Sequence, residues 1–305
     1  MTDFLIVTSK EDIASMNIRD NLLNSDLFKF ELAKYKWKGN PLFILQDIFS
    51  DSSKSIGLKN NKVFLGLINE RLIFLNDLEL EKSDFNPDIL IFASRHTSKE
   101  LRPAFLVHAT GNWSKDTNFG GNPKEISHSS ALLVKAGFLS LEEQKEQLKN
   151  LDFLVDFLVD LEVSHHGPTN LEKPLIFMEL GSSKKEWIIK EAAKIVANSI
   201  INAIFKYLDF KLNKLIEIGI GFGGTHYAPQ FKKLILENNI AISFICPKYF
   251  VQELNKDIIT QMINKNTEKI DYFVIDWKGL NAQDKHYLIP LLEEFDIPIK
   301  KTKDF

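Results

Sequence analysis

The chain has 305 residues, enough for one large α/β domain or two modest ones at ~100–200 residues per domain. An apolar share of 44% with 24 phenylalanines promises a sizeable core, while a formal charge of −3 offers no global basic field for nucleic acid. A single cysteine, Cys246, excludes an intrachain disulfide framework and points to a reducing compartment.

The N-terminus, MTDFLIVTSKEDIAS, lacks a basic segment followed by a long apolar stretch, and no window approaches the ~20 apolar residues of a membrane span. A soluble, cytoplasmic protein is expected. Residues 4–8 read as a strand, and the apolar spacing over 12–24 reads as a helix. Between 28 and 74 the pattern shortens to apolar runs at 28–32, 42–45, 63–67 and 72–75, which predict short strands joined by turns. Residues 88–93 and 104–107 read as buried strands. The first runs into Ser94-Arg95-His96-Thr97-Ser98, the second into His108-Ala109-Thr110-Gly111-Asn112-Trp113. A glycine loop at 118–123 follows, then helical periodicity over 126–157.

The second half alternates, with strands at 175–180, 215–220, 242–245 and 271–275 and helices at 184–205, 229–237 and 283–295. Cys246 closes one of these strands and is expected to be buried. Such alternation predicts an α/β fold with a mixed, mostly parallel sheet flanked by helices, and an additional smaller α+β part. The chain reads as one unit, divisible into an N-terminal part of about 1–125 and a C-terminal α/β part of about 126–305.

Residues 161–187 pack Glu162, His165, His166, Thr169, Glu179, Ser182 and Ser183 around two apolar runs. An unpaired buried polar group costs roughly 1–3 kcal/mol, so these groups are paired, wetted or holding something. Five polar loops (SRHTS, HATGN, HHGPT, ELGSS and GFGGTHYAP) follow apolar runs. In open α/β sheets ligands bind beyond the carboxyl ends of strands, so the loops are expected together at one edge of one sheet.

Six of the seven histidines (His96, His108, His128, His165, His166 and His226) lie in or beside these segments, and His286 is expected on a helix surface. Imidazoles with carboxylates suit a catalytic zinc, which takes three protein ligands and keeps an open position for water. No HExxH or CxxC spacing fixes the ligand set. Successive side chains of an extended chain point to opposite faces, so one of His165 and His166 is expected to face the site. Glu179 suits a ligand, a general base or an orienter; Glu162 could hold a histidine or a solvated lysine. Gly219 to Gly224 contain GxGxxG, but so late in the chain, without an acidic ribose partner, that a dinucleotide role is set aside. The glycines could admit a substrate phosphate or sugar, or merely make a tight turn. Ser182-Ser183 could cap the next helix or offer its N-terminus to an anion. The absence of GxSxG disfavours a serine hydrolase of the α/β-hydrolase type.

Taken together, the motifs resemble the archaeal and plant type of D-aminoacyl-tRNA deacylase. The resemblance rests on Ser164-His165-His166-Gly167-Pro168-Thr169, Glu179-Leu180-Gly181-Ser182 with Trp187, and Gly223-Gly224-Thr225-His226-Tyr227-Ala228-Pro229. The SRH, HxxGN, FGGxP and DWKGL elements accompany these at 94–96, 108–112, 119–123 and 276–280. Gln230 and Lys285 stand where arginines are common in that family. The resemblance implies hydrolysis of the ester joining a D-amino acid to the terminal adenosine of tRNA, zinc as cofactor, and phosphorylase-like and peptidyl-tRNA-hydrolase-like core parts. The metal ligands expected are His96, His108, His165 and His226, and the catalytic groups Glu179, His166 and Thr169. The acceptor end is expected on Asn112, Gly120, Gly121, Ser182, Gly223, Gly224 and Thr225. Glu179 or a non-ligating histidine would take a proton from water, while Thr169 or backbone N–H groups near Gly181 steady the oxyanion. A metal-free route, with the ribose 2′-hydroxyl orienting water, remains open at this stage. So do two other readings. A hydrolase of small acyl compounds would act equally on a free D-aminoacyl ester, and a non-catalytic tRNA binder would leave the ester intact.

Overall fold

The computed structural model describes residues 1–49, 60–80, 85–147, 154 and 156–305. Two sheets carry the fold. The larger contains β1 (Phe4–Ser9), β2 (Phe28–Trp37), β3 (Asn40–Ile48), β4 (Val63–Ile68), β5 (Ile89–Arg95), β6 (Ala104–His108), β7 (Leu158–Leu161) and β8 (Leu175–Gly181). Its strand order is β2-β3-β4-β1-β5-β8-β6-β7. The smaller is wholly parallel, in the order β10-β9-β11-β12, from β9 (Glu217–Phe222), β10 (Ile240–Cys246), β11 (Tyr272–Ile275) and β12 (Ile299–Lys301). The mixed α/β architecture expected from the alternation is the one observed.

The central strands are buried from end to end, as in FLIVTS of β1 and LIFMELG of β8, because helices cover their faces. Helix α1 (Ile13–Leu23) begins at Asp12, whose side chain accepts from Ser15 N. The other Asp12 carboxylate oxygen accepts from Arg95 N, tying the helix start to the end of β5. Between the sheets runs α2 (Ala131–Gln147), which packs on β6, β7, β9 and β10; the long α4 (Lys190–Asn213) lies beside it and packs on α1 and β8. The short α3 (Lys184–Trp187) is closed by a capping box between Ser183 and Glu186. Helices α5 (Pro229–Glu237), α6 (Lys256–Asn264) and α7 (Ala282–Leu292) alternate with the strands of the smaller sheet, and α5 packs on β10 and β7.

Two expectations change here. Residues 72–75 contain a short 3₁₀ turn, Leu72–Phe74, in place of a strand: Leu72 and Leu75 reach the core from a loop, while Phe74 is exposed. The five polar loops do not leave one sheet: GFGGTHYAP follows β9 of the smaller sheet. Within the larger sheet β6 runs antiparallel to β8, and β7 parallel to β6, so their loops reach the site from the opposite direction. The larger sheet also draws strands from both sides of residue 125, since β8 pairs with β5 and β6. Part of the periodicity at 126–157, residues 148–153 and 155, lies outside the described residues. Among those residues, no helix is long and apolar enough to cross a membrane.

Candidate active site

Four elements of chain deliver the polar cluster. β5 ends into His96, β6 ends at His108, β7 leads through Glu162 to His165 and His166, and β8 carries Glu179. The β9–α5 loop adds His226 from the second sheet. Glu162 sits at the centre, with its side chain fully buried. It lies 2.7 Å from His226 Nε2, 3.5 Å from His96 Nδ1 and 3.8 Å from His108 Nε2. Glu179 accepts from Ser94 Oγ at 2.7 Å and stands 3.3 Å from His96 Nδ1. The 3.8 and 3.9 Å separations that bring His108 to the two carboxylates are charge contacts and not hydrogen bonds.

His166 adopts a left-handed backbone, φ 44°, which swings its ring to the same side as that of His165. The expectation that only one of the pair faces the site assumed an extended chain, and this residue is not extended. Both rings meet His108, with centroids 4.3 and 4.9 Å away. Each of the three imidazoles spends its Nδ1 on a backbone carbonyl: His108 on Ala109 at 3.1 Å, His165 on Val163 at 2.9 Å and His166 on Gly167 at 2.6 Å. An Nδ1–H donated to a carbonyl is the arrangement of histidines that ligate metals through Nε2; His165 and His166 keep that lone pair, whereas burial opposes charge on His108 but Glu179 and Glu162 outweigh it and raise its pKa. The Nε2 atoms of His96 and His108 and both oxygens of Glu162 are buried without a hydrogen-bond donor or acceptor of good geometry.

The electrostatics follow from this packing. Burial lowers the basicity of His165 and His166, and neighbouring histidines add to the effect, so His165 falls well below its ordinary range and His166 to about 4. Burial also opposes charge on His96, but Glu162 and Glu179 outweigh it and raise its pKa to about 9. Both carboxylates are held below the usual range: burial would raise them, and the surrounding histidines overcome it.

Above the cluster lies a cavity of about 440 Å³, within the size range of small-molecule sites. Its lining includes His96, His165, His166, Glu179, His226 and Asn112. Phe119, 64% exposed, stands at the rim.

A family profile described as D-aminoacyl-tRNA deacylase matches residues 83–300. The chain belongs to the D-aminoacyl-tRNA deacylase family. A D-aminoacyl-tRNA deacylase of Methanococcus vannielii is 34% identical over 98% of this chain and the whole of that protein. One of Pyrococcus horikoshii is 33% identical over 97% of this chain and 99% of that protein. Among solved structures, a conserved protein of unknown function, AF0625, superposes with a TM-score of 0.79 at 28% identity, covering 99% and 96% of the two chains.

The other expected positions of this family member sort by where the fold puts them. Among the described residues, three groups bring donor atoms close enough to share a metal ion: His108 with His165 and His166, Glu162 with His165 and His226, and His96 with Glu162 and Glu179. His166 therefore stands among the candidate ligands, and His96 faces two carboxylates. Thr169 does not point its hydroxyl into the cavity: it donates to Glu125 at 2.7 Å and accepts from Asn122 N at 2.8 Å, bracing one loop on another. Asn112 lines the cavity while its amide holds the carbonyls of Gly120 and Asn122. Gly120 and Gly121 serve loop packing: a Cβ on Gly120 would lie 1.9 Å from the Ile73 carbonyl oxygen. Ser182 Oγ donates to the Arg102 carbonyl. Gly223 and Gly224 turn the chain against Asp276, and Thr225 is exposed. Glu162 was underweighted by sequence reasoning. The available signal was a carboxylate directly after an edge strand and three residues before the histidine pair. His286 is exposed and Cys246 buried, as expected.

Proposed function

We propose that this chain hydrolyses the ester between a D-amino acid and the terminal ribose of tRNA at the His–Glu cluster, releasing free D-amino acid and tRNA, with zinc as cofactor. The observation that carries the metal part is the triple tie of His108, His165 and His166, whose Nδ1 atoms face backbone carbonyls while Nε2 stays free. Nitrogen and carboxylate donors at such spacing suit zinc. These three histidines would hold the ion, and bound there it would polarise the ester carbonyl and acidify a water.

The remaining work falls to the chain. Glu179, fixed by Ser94 and kept ionised, is placed to accept the proton that water gives up on attacking the carbonyl carbon. His96 lines the cavity and carries a proton at neutral pH, so it can protonate the departing ribose 3′-oxygen as the acyl–oxygen bond breaks. Glu162 holds the charged His96 and aligns His226. Thr169, Asn112 and the glycines at 120–121 position the loops that shape the cavity and do not touch the reacting atoms.

The test is the rate of ester loss from matched D- and L-tyrosyl-tRNA, before and after exhaustive chelation. Rapid loss of the D form alone, abolished by chelation and restored by zinc, is the expected result. Full activity after chelation would overturn the metal assignment, and loss of neither ester would overturn the reaction.

A further inference from the structure

The strands of the smaller sheet are all parallel, so the loops at their carboxyl ends share one edge. That edge delivers His226 to the cluster, and its loops lock together: Lys248 N donates to the Gly224 carbonyl, and Gly224 packs on the Asp276 carboxylate. Beyond Asp276 lies Trp277, half-buried, with the ammonium of Lys301 4.3 Å and that of Lys285 4.7 Å from its ring centroid. Lys278 is exposed beside them. Among the described residues no carboxylate lies within ion-pairing distance of these three ammonium groups. The acids of this edge bind backbone N–H groups, and Asp284 also accepts from Gln252 Nε2. Asp276 accepts from Gly279 N, Asp284 from Asn281 N, and Asp304 from Lys301 N. A chain of net charge −3 thus gathers three ammonium groups without a direct ion-pair partner, two of them pre-ordered on an aromatic face, on the edge that feeds its catalytic cluster.

We propose that this edge is the docking surface for the sugar–phosphate backbone of the tRNA acceptor stem, with Lys278, Lys285 and Lys301 each facing a phosphate and Trp277 holding two of the ammonium groups in place. The inference rests on the deacylase reading, which puts the RNA's 3′ end in the cavity; the stem leading to that end must leave across an adjoining surface. A polyanion continuous with the substrate fits the continuity of this edge with the site. A lipid headgroup would have no such reason to lie next to the cluster.

The experiment compares the intact holoenzyme with its K278Q/K285Q/K301Q variant on two substrates, D-tyrosyl-tRNA and the fragment D-tyrosyl-adenosine. Each phosphate contact adds roughly 0.7–0.9 to the slope of log affinity against log salt. Three contacts therefore make tRNA affinity fall about 20- to 40-fold between about 50 and 200 mM salt, a sensitivity the variant loses. The expected result is a KM for tRNA raised at least about tenfold at low salt with kcat unchanged, no change on the fragment, and recovery in the triple Lys→Arg variant. Unchanged KM and salt slope would overturn the proposal. So would an equal loss on both substrates, which marks a merely structural effect, or binding of anionic phosphatidylserine vesicles in preference to tRNA. If the parent protein cleaved neither substrate, the deacylase reading would fall by itself. Salt-dependent binding of uncharged tRNA would then decide the surface, and equal binding by parent and variant would refute it.

Discussion

Replacing Gly181 by alanine tests how tightly the site depends on one position that carries no chemistry. A Cβ built on Gly181 lies 2.6 Å from His96 Cβ and 3.0 Å from its Cδ2. Carbon atoms prefer about 3.5 Å or more, so the His96 side chain must retreat by about 1 Å. Its backbone cannot follow: His96 N donates to the Leu180 carbonyl, and the His96 carbonyl accepts from Trp187 Nε1. The ring would therefore shift from its place 3.5 Å from Glu162 and 3.3 Å from Glu179. A misplacement of that size costs about 10²-fold in rate, equivalent to about 2.7 kcal/mol of barrier. The overpacking itself costs about 1–3 kcal/mol of stability, so the variant folds. Single-turnover deacylation of D-tyrosyl-tRNA, with urea unfolding alongside, measures both. In the H96A background the alanine at 181 should have no further effect on rate, because the group it displaces is gone. A folded G181A protein within about threefold of the parent rate, or a further large loss in the double variant, would refute the argument.

Stability of the metal-free protein should be greatest near pH 6.5. His96, raised to about 9, contributes below pH 6.5 and loses that contribution as pH climbs toward 9. His166, lowered to about 4, makes the unfolded chain bind the extra proton between pH 6.5 and 4, so stability falls with acid across that window. Urea midpoints from pH 4 to 9 check this, and a flat profile above pH 6.5 would contradict the His96 assignment. Lys135 is buried and donates to the carbonyls of Ile235, Asn238 and Ile240 at 2.8, 2.8 and 2.9 Å, so Lys135→Met should cost about 3–5 kcal/mol in equilibrium unfolding. A loss below about 1 kcal/mol would show that those carbonyls find other donors. Gly120, at φ 82° against the Ile73 carbonyl, should tolerate no side chain. Gly120→Ala is expected to lose at least about 2 kcal/mol and to raise KM as the Phe119 rim moves, readable by melting and steady-state kinetics.

Much of the fold was legible because its central strands are uninterrupted apolar runs whose polar ends face a cavity. Residues 88–93 and 175–180 fall inside or at the ends of β5 and β8, neighbours in the sheet. Strand direction was not legible. Nothing in AFLV says that β6 runs against β8, since both strands are apolar on both faces and the reversal is set by long connections. The strand β12 escaped notice because IKK shows no alternation and is only half-buried. At the site, histidines and Glu179 announced themselves by standing where apolar residues belong. The regrouping of His166 with His108 and His165 did not, because it turns on one left-handed φ that no spacing rule encodes. Thr169 and the glycines looked like substrate contacts for the same reason that they brace loops: small and hydroxylated residues serve wherever backbones approach closely.

Lys135 belongs to α2, yet its three acceptors belong to the end of α5 and the start of β10, so one ammonium rivets the layer behind the large sheet to the small one. His226 and Glu162 meet across the same seam at 2.7 Å. Loosening that seam would withdraw His226 from Glu162 while leaving the rest of the cluster on the larger sheet and its loops.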